Sequence, residues 1–357
     1  MAPRTSSKKW LALAMLLAAT GTVAKPTCNT PRTTPTPIVR KEWRTLSTTE
    51  KTNYINAVKC IMAKPAITPP FPDSGVISRY DDLIYTHIQQ TMSIHYVGHF
   101  LAWHRYFTAT YEQMLRNECD YEGAQPYWDW TLDTPAANFA SSPVFDPVTG
   151  FGGNGPFVAS DPNGFFEVPG RTGGGCVTDG PWAGLSDAVH LGPGENVAYN
   201  PQCLKRDLSP YFAGRYLGLN QTLLTLSQPD FGWFNTLVEG FPSFEASGVH
   251  GGGHYGVGGT LGTMGDLYTS PADPIFHLHH ANLDRLWWSW QKLDLTNRLV
   301  DISGPLLLMN YTMGNSSLST PLSVGLSGAD LTVGDVMNIE ACGAVGTCYT
   351  YDALYTL

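Results

Sequence analysis

The sequence predicts a mainly α-helical protein with long irregular loops and little β-sheet. Three observations lead there. Apolar residues recur at helical spacing in several separated stretches rather than alternating as in strands. Residues 131–200 are dense in Gly, Pro, Asn and Asp and carry few periodic runs. No internal repeat and no linker divides the chain, so residues 25–357 read as one domain.

The elements follow in order. Residues 1–24 read as a signal peptide: Arg4, Lys8 and Lys9 precede an apolar run from Trp10 to Ala19, and Thr22-Val23-Ala24 offers a cleavage site. That run is too short to span a bilayer, and no later one is long enough. Residues 26–39 are rich in Pro and Thr and read as extended. Ser47-Thr48-Thr49-Glu50 is a capping box; behind it Tyr54, Ala57, Val58 and Ile61 share one helix face, and Pro65 ends the run. Tyr80, Leu83, Ile84 and His87 place a second helix near 80–92, and His104, Phe107, Tyr111 and Leu115 a third over 102–117. Asp230 caps a short helix carrying Phe231, Phe234 and Val238. A further helix over 274–292 carries Phe276, His280, Leu283, Trp287 and Trp290. The last 60 residues read as strands and loops.

Composition narrows the function classes. Apolar residues make up 43% and charged residues 14% of the 357, the reverse of a disordered chain. The net charge of −9 argues against a nucleic-acid partner. The secretory start makes disulfides expected among the seven cysteines, an odd number that leaves at least one without a partner in the chain. Cys176 and Cys203, at the irregular stretch, are expected to pair. Asn220, Asn310 and Asn315 head glycosylation sequons.

The ten histidines are unevenly spread. His87, His95, His99 and His104 form one group, and His250, His254, His277, His279 and His280 another; His190 stands alone. His87, His104 and His280 lie on the apolar stripes of their helices, where a buried imidazole needs partners for both nitrogens. Three such residues in two clusters point to a metal. His250 and His254 are four apart, which a helix would place on one face. The Gly251-Gly252-Gly253 run between them leaves two readings: a glycine-rich loop, or a helix whose missing side chains leave room above the metal for a flat substrate. His95 is out of phase with His104 and is expected from the loop before that helix. All-imidazole ligation suits Zn, Cu, Fe or Ni, and spacing alone does not separate copper from zinc.

At this point the residues resemble a family. His95-Tyr96-Val97-Gly98-His99-Phe100-Leu101-Ala102-Trp103-His104-Arg105 resembles the copper A signature of tyrosinases and catechol oxidases. Asp273-Pro274-Ile275-Phe276-His277-Leu278-His279-His280-Ala281-Asn282-Leu283-Asp284 resembles their copper B signature, and His250 and His254 stand where the family has its first two copper B ligands. The likeness runs over most of 40–351 and is strongest to short, secreted fungal polyphenol oxidases. It implies a central antiparallel four-helix bundle holding two copper ions, one on His87, His95 and His104, the other on His250, His254 and His280. His99, His277 and His279 then surround the ligands. Asp284 either orients the His280 ring or forms a surface ion pair. Trp103, Trp287 and Trp290 read as core.

The resemblance also implies roles around the copper. Ser93 stands where many members have the cysteine of a thioether crosslink, so that link is not expected. Gly251 follows the first copper B ligand, where monophenol hydroxylases often have Asn assisting a water-holding Glu; Glu245 is the candidate for that Glu. Leu267 falls at the gate above copper A, and Tyr255 is expected to line the entrance. Tyr349-Thr350-Tyr351 resembles the motif closing the catalytic domain. No shielding domain is expected after it, hence an enzyme that needs no activation. The implied activity is oxidation of o-diphenols, and of o-aminophenols or some monophenols, to o-quinones with O2. The rivals are a tyrosinase with substantial monophenol hydroxylation, a haemocyanin-like oxygen carrier and a zinc hydrolase. The expected partners are phenolic small molecules and O2, with no nucleic acid, membrane or required protein partner, in the extracellular space.

Overall fold

A computed structural model describes residues 36–357 apart from 165, 242 and 343–347. The expected signal peptide and Cys28 lie outside the described residues. The expectation of a mainly helical protein holds. The helices that matter here are α1 (Thr48–Ala63), α2 (Arg79–Ile94), α3 (Phe100–Glu118), α4 (Pro210–Tyr216), α5 (Phe231–Glu239), α6 (Val249–Gly258) and α7 (Ile275–Lys292). Among the described residues no helix is long and apolar enough to cross a membrane.

Local chemistry sets the helix starts. Ser47 Oγ accepts from Glu50 N–H at 3.3 Å while Glu50 accepts from Ser47 N–H at 2.8 Å, the reciprocal box expected for α1. Ser78 and Asp81 repeat it at α2, and Asp230 Oδ1 accepts from Trp233 N–H to start α5. The Gly-run question is resolved as a helix: residues 249–258 form α6.

Among the described residues, strands form three two-stranded pairs. β1 (Ile38–Arg40) runs parallel to β6 (Tyr349–Tyr351), joining the two ends of the described chain. β2 (Pro305–Leu307) pairs with β3 (Asn310–Asn315), and β4 (Pro321–Leu322) with β5 (Leu331–Thr332), both antiparallel.

The irregular stretch is held by covalent and ionic ties rather than periodic packing. Cys176 pairs with Cys203 as expected; Cys60–Cys119 and Cys342–Cys348 are the other bridges among the described residues. Buried Arg206 makes two hydrogen bonds to Asp273, at 2.9 and 3.0 Å, and Arg171 bonds Asp207 at 2.5 Å. Fork-shaped guanidinium pairs of this kind fix both partners' orientation. Asp273 lies two residues before α7, so the loop is anchored at the start of a histidine-bearing helix.

Eight of the ten tryptophans are almost fully buried, Trp103, Trp287 and Trp290 among them, which makes them core. Asp284 satisfies neither expected role. It is buried, and accepts from Arg105, from Arg40 at 3.3 Å, and from the hydroxyls of Tyr349 and Tyr351 at 2.7 and 2.5 Å. Two guanidiniums claim the carboxylate, so it does not reach the His280 ring, whose Nδ1 has no partner.

Candidate metal centre

Four helices present the histidines. His87 lies on α2, His104 on α3, His250 and His254 on α6, and His280 on α7; His95 caps the C-terminus of α2, in the loop before α3 as expected. In each triad, His87/His95/His104 and His250/His254/His280, one ring nitrogen per residue lies within 4.8 Å of the others, and all six are buried. The two groups adjoin: the His104 and His280 rings stack with centroids 4.6 Å apart.

Four of the six rings are oriented by backbone carbonyls. Nδ1 of His87 faces the Tyr268 carbonyl at 2.7 Å; Nδ1 of His95, His104 and His254 face those of Thr91, Phe100 and Met264, each at 2.9 Å. A carbonyl only accepts, so these Nδ1 atoms carry the proton and Nε2 is left with a lone pair. Buried Nε2 atoms of His87, His104 and His250 have no partner, and those of His254 and His280 face each other at 3.2 Å. A buried polar atom without a partner is costly, and six converging imidazoles free of carboxylate or thiolate suit copper. Burial pushes the His95 and His254 rings down to about 4 and holds His87, His104, His250 and His280 well below the ordinary histidine range. Neutral imidazole is the metal-binding form.

The remaining histidines surround this set. His279 Nε2 donates to the His250 carbonyl at 3.0 Å, bracing α6 against α7. His277 lies flat on the Tyr111 ring with centroids 3.6 Å apart. His99 bonds Ser316 Oγ at 3.0 Å. His190, unexplained by sequence, pairs with Asp81 at the start of α2.

A cavity of 790 Å³ opens beside the triads. Tyr255 and Leu267 line it, and Glu245 stands exposed in its wall. The expectation that the glycine run opens the site needs correction. A Cβ on Gly253 would lie 2.1 Å from the His279 ring, and one on Gly252 would lie 2.8 Å from Tyr216 Cβ. These glycines let α6 pack tightly against α7 and α4. Gly251 alone faces the cavity wall: its Cβ position is 2.5 Å from Ser247 Oγ and 3.7 Å from Tyr255.

Sequence reasoning missed a second carboxylate near the ligands. Glu239, at the end of α5, is buried and accepts from the backbone N–H of Tyr96, next to His95, and from Asn235 at 2.9 Å. Burial holds its carboxyl well above the usual range despite those bonds. Its only signal in the sequence was its place on the buried face of a capped helix.

The family model describing the common central domain of tyrosinase matches residues 77–293, well over half the chain. The chain belongs to the tyrosinase family. Among curated relatives of this tyrosinase-family chain, the tyrosinase-like protein phomQ1' of Diaporthe leptostromiformis is 36% identical over 341 residues, covering 91% of this chain and 82% of that one. The N-acetyl-6-hydroxytryptophan oxidase ivoB of Emericella nidulans is 35% identical over 348 residues, covering 88% and 92%. Among solved structures, a mutant of the polyphenol oxidase from Thermothelomyces thermophila superimposes with a TM-score of 0.78 at 38% identity, over 89% of each chain. The two histidine triads fit the dinuclear copper site of the tyrosinase family, and the chain is an oxidoreductase of that family.

Proposed function

We propose that the chain binds one copper ion on His87, His95 and His104 and a second on His250, His254 and His280, and oxidises o-diphenols to o-quinones with O2. The observation that carries this reading is the convergence of six buried imidazoles in two adjacent triads, four of them held through Nδ1 with Nε2 left as the lone-pair atom. Bound copper supplies the binding and activation of O2. Each diphenol gives up two electrons and two protons; O2 accepts four of each and leaves as two waters, so two diphenols are consumed per O2. The helices hold the six imidazoles rigid. Leu267 and Tyr255 shape the cavity wall and guide the ring inward.

Hydroxylation of a monophenol needs a base for the phenolic proton. Glu239, rather than exposed Glu245, is the buried carboxylate next to His95, and burial raises its pKa above the usual carboxylate range. Gly251 adds no amide to help. The missing amide favours diphenols and o-aminophenols over monophenols. The capacious cavity matches a relative named for oxidising a substituted hydroxyindole. Three disulfides and the N-terminal sequence support secretion.

Metal analysis of the protein should find two coppers per chain, and His104→Ala or His254→Ala should lower that number; zinc in their place would refute the oxidase. The copper-loaded protein should turn over 4-tert-butylcatechol, which an oxygen carrier would not. Oxygen uptake should be far slower on tyrosol than on catechol; comparable rates without a lag would instead support monophenol hydroxylation.

A further inference from the structure

The cavity beside the triads has one cationic side chain in its wall, Lys205. Its neighbours Leu204 and Arg206 are buried on the opposite side, and the extended chain alternates there, so half-buried Lys205 faces the cavity. Among the described residues no carboxylate lies within 4.0 Å of its ammonium, although most buried or half-buried arginines of this acidic protein are paired. Two carboxylates share the wall. Asp266 turns both oxygens to backbone donors, accepting from Gly194 N–H at 2.7 Å and from Tyr268 and Thr269 N–H at 2.9 Å each. Glu245 is exposed on another segment.

The placement of Lys205 is rigid and tied to the metal site. Its strand is stapled two residues away by Cys176–Cys203. Its carbonyl accepts from Thr263 N–H at 2.9 Å, and its N–H donates to Thr263 Oγ1 at 3.3 Å. The next residue, Met264, holds the His254 ring through its carbonyl. One two-residue segment therefore fixes a copper-site imidazole on one side and the lysine on the other.

We infer that Lys205 selects substrates, and that the preferred class is o-diphenols whose ring substituent ends in a carboxylate. The inference rests on the oxidase reading above and names the substrate of the same site. A half-buried ammonium without an internal counter-ion gains most from an anion brought by the ligand, because the cavity walls screen it less than bulk water does.

The test compares 3,4-dihydroxyphenylpropionate with 4-methylcatechol at pH 7. Wild type should favour the anion, and Lys205→Met should lower the ratio of kcat/KM for anion over neutral substrate about tenfold, through KM, as loss of a charged hydrogen bond does. Lys205→Arg should restore most of the ratio, and rising salt should erode it in wild type. Calorimetric titration with 3-phenylpropionate, which cannot be oxidised, should show the same weakening in Lys205→Met. An unchanged ratio, or equal loss on both substrates, would overturn the assignment. Phenylpropionate binding without oxidation of 4-methylcatechol would remove the oxidase reading and leave the anion site standing; oxidation with an unselective Lys205 would do the opposite.

Discussion

Gly253 shows how little a ligand set says about what holds it. Its hydrogen points at the His279 ring, and a methyl group there would meet ring atoms at 2.1 to 2.6 Å. Gly253→Ala should therefore cost about 1–3 kcal/mol by overpacking and also lower copper content, because α6 carries both His250 and His254. Thermal denaturation and metal analysis of the purified variant check both effects; an intact melting temperature with full copper would contradict the packing described. The six histidines themselves were legible in the sequence, since stripes and spacing report on helix faces. Glu239 was not, because the sequence pointed to Glu245 alone and the burial that sets Glu239 apart comes from tertiary packing. Asp284 was misread for a related reason: its partners Arg40, Tyr349 and Tyr351 are distant in sequence.

At the scale of an element, α2 is fixed at both ends by different means. Its C-terminus delivers His95, and its N-terminus is closed by Asp81, which accepts from Ser78 and from His190 Nδ1 at 2.9 Å. Burial lowers the His190 pKa, but the Asp81 carboxylate outweighs it and the net shift is upward. A group whose folded pKa is raised stabilises fully below its unfolded pKa, about 6.5 for histidine, and loses that contribution as pH rises through the folded value. His190→Gln should thus lower the melting temperature more at pH 5.5 than at pH 8.5. An equal or opposite dependence, measured by calorimetry across that range, would mean the pair is not charged. The helices were readable because periodicity and capping are local. The 131–200 stretch was legible only in its Cys176–Cys203 staple, since the rest of its order comes from Arg171–Asp207 and Arg206–Asp273, ion pairs between residues far apart.

At the scale of the molecule, one buried carboxylate joins segments from both ends of the described chain. Asp284 of α7 meets Arg40 on β1, Arg105 on α3, and Tyr349 and Tyr351 on β6. Arg40 keeps Glu112 if Asp284 is neutralised, whereas Arg105 keeps only uncharged partners. Asp284→Asn should cost on the order of 3 kcal/mol in urea denaturation, the penalty for uncompensating a buried charge. Copper bound per folded molecule should stay the same, because the carboxylate does not touch His280. Copper loss at unchanged stability would restore the orienting role.

The grip on the imidazoles has a consequence for redesign. Tyr268 holds His87 with its carbonyl, not with its ring, and its side chain helps wall the cavity. A peptide carbonyl is present whatever residue occupies position 268. The surface that greets a substrate can therefore be rewritten there while the tautomer and aim of the ring beneath it stay the same, so chemistry and selectivity occupy separable layers of one residue.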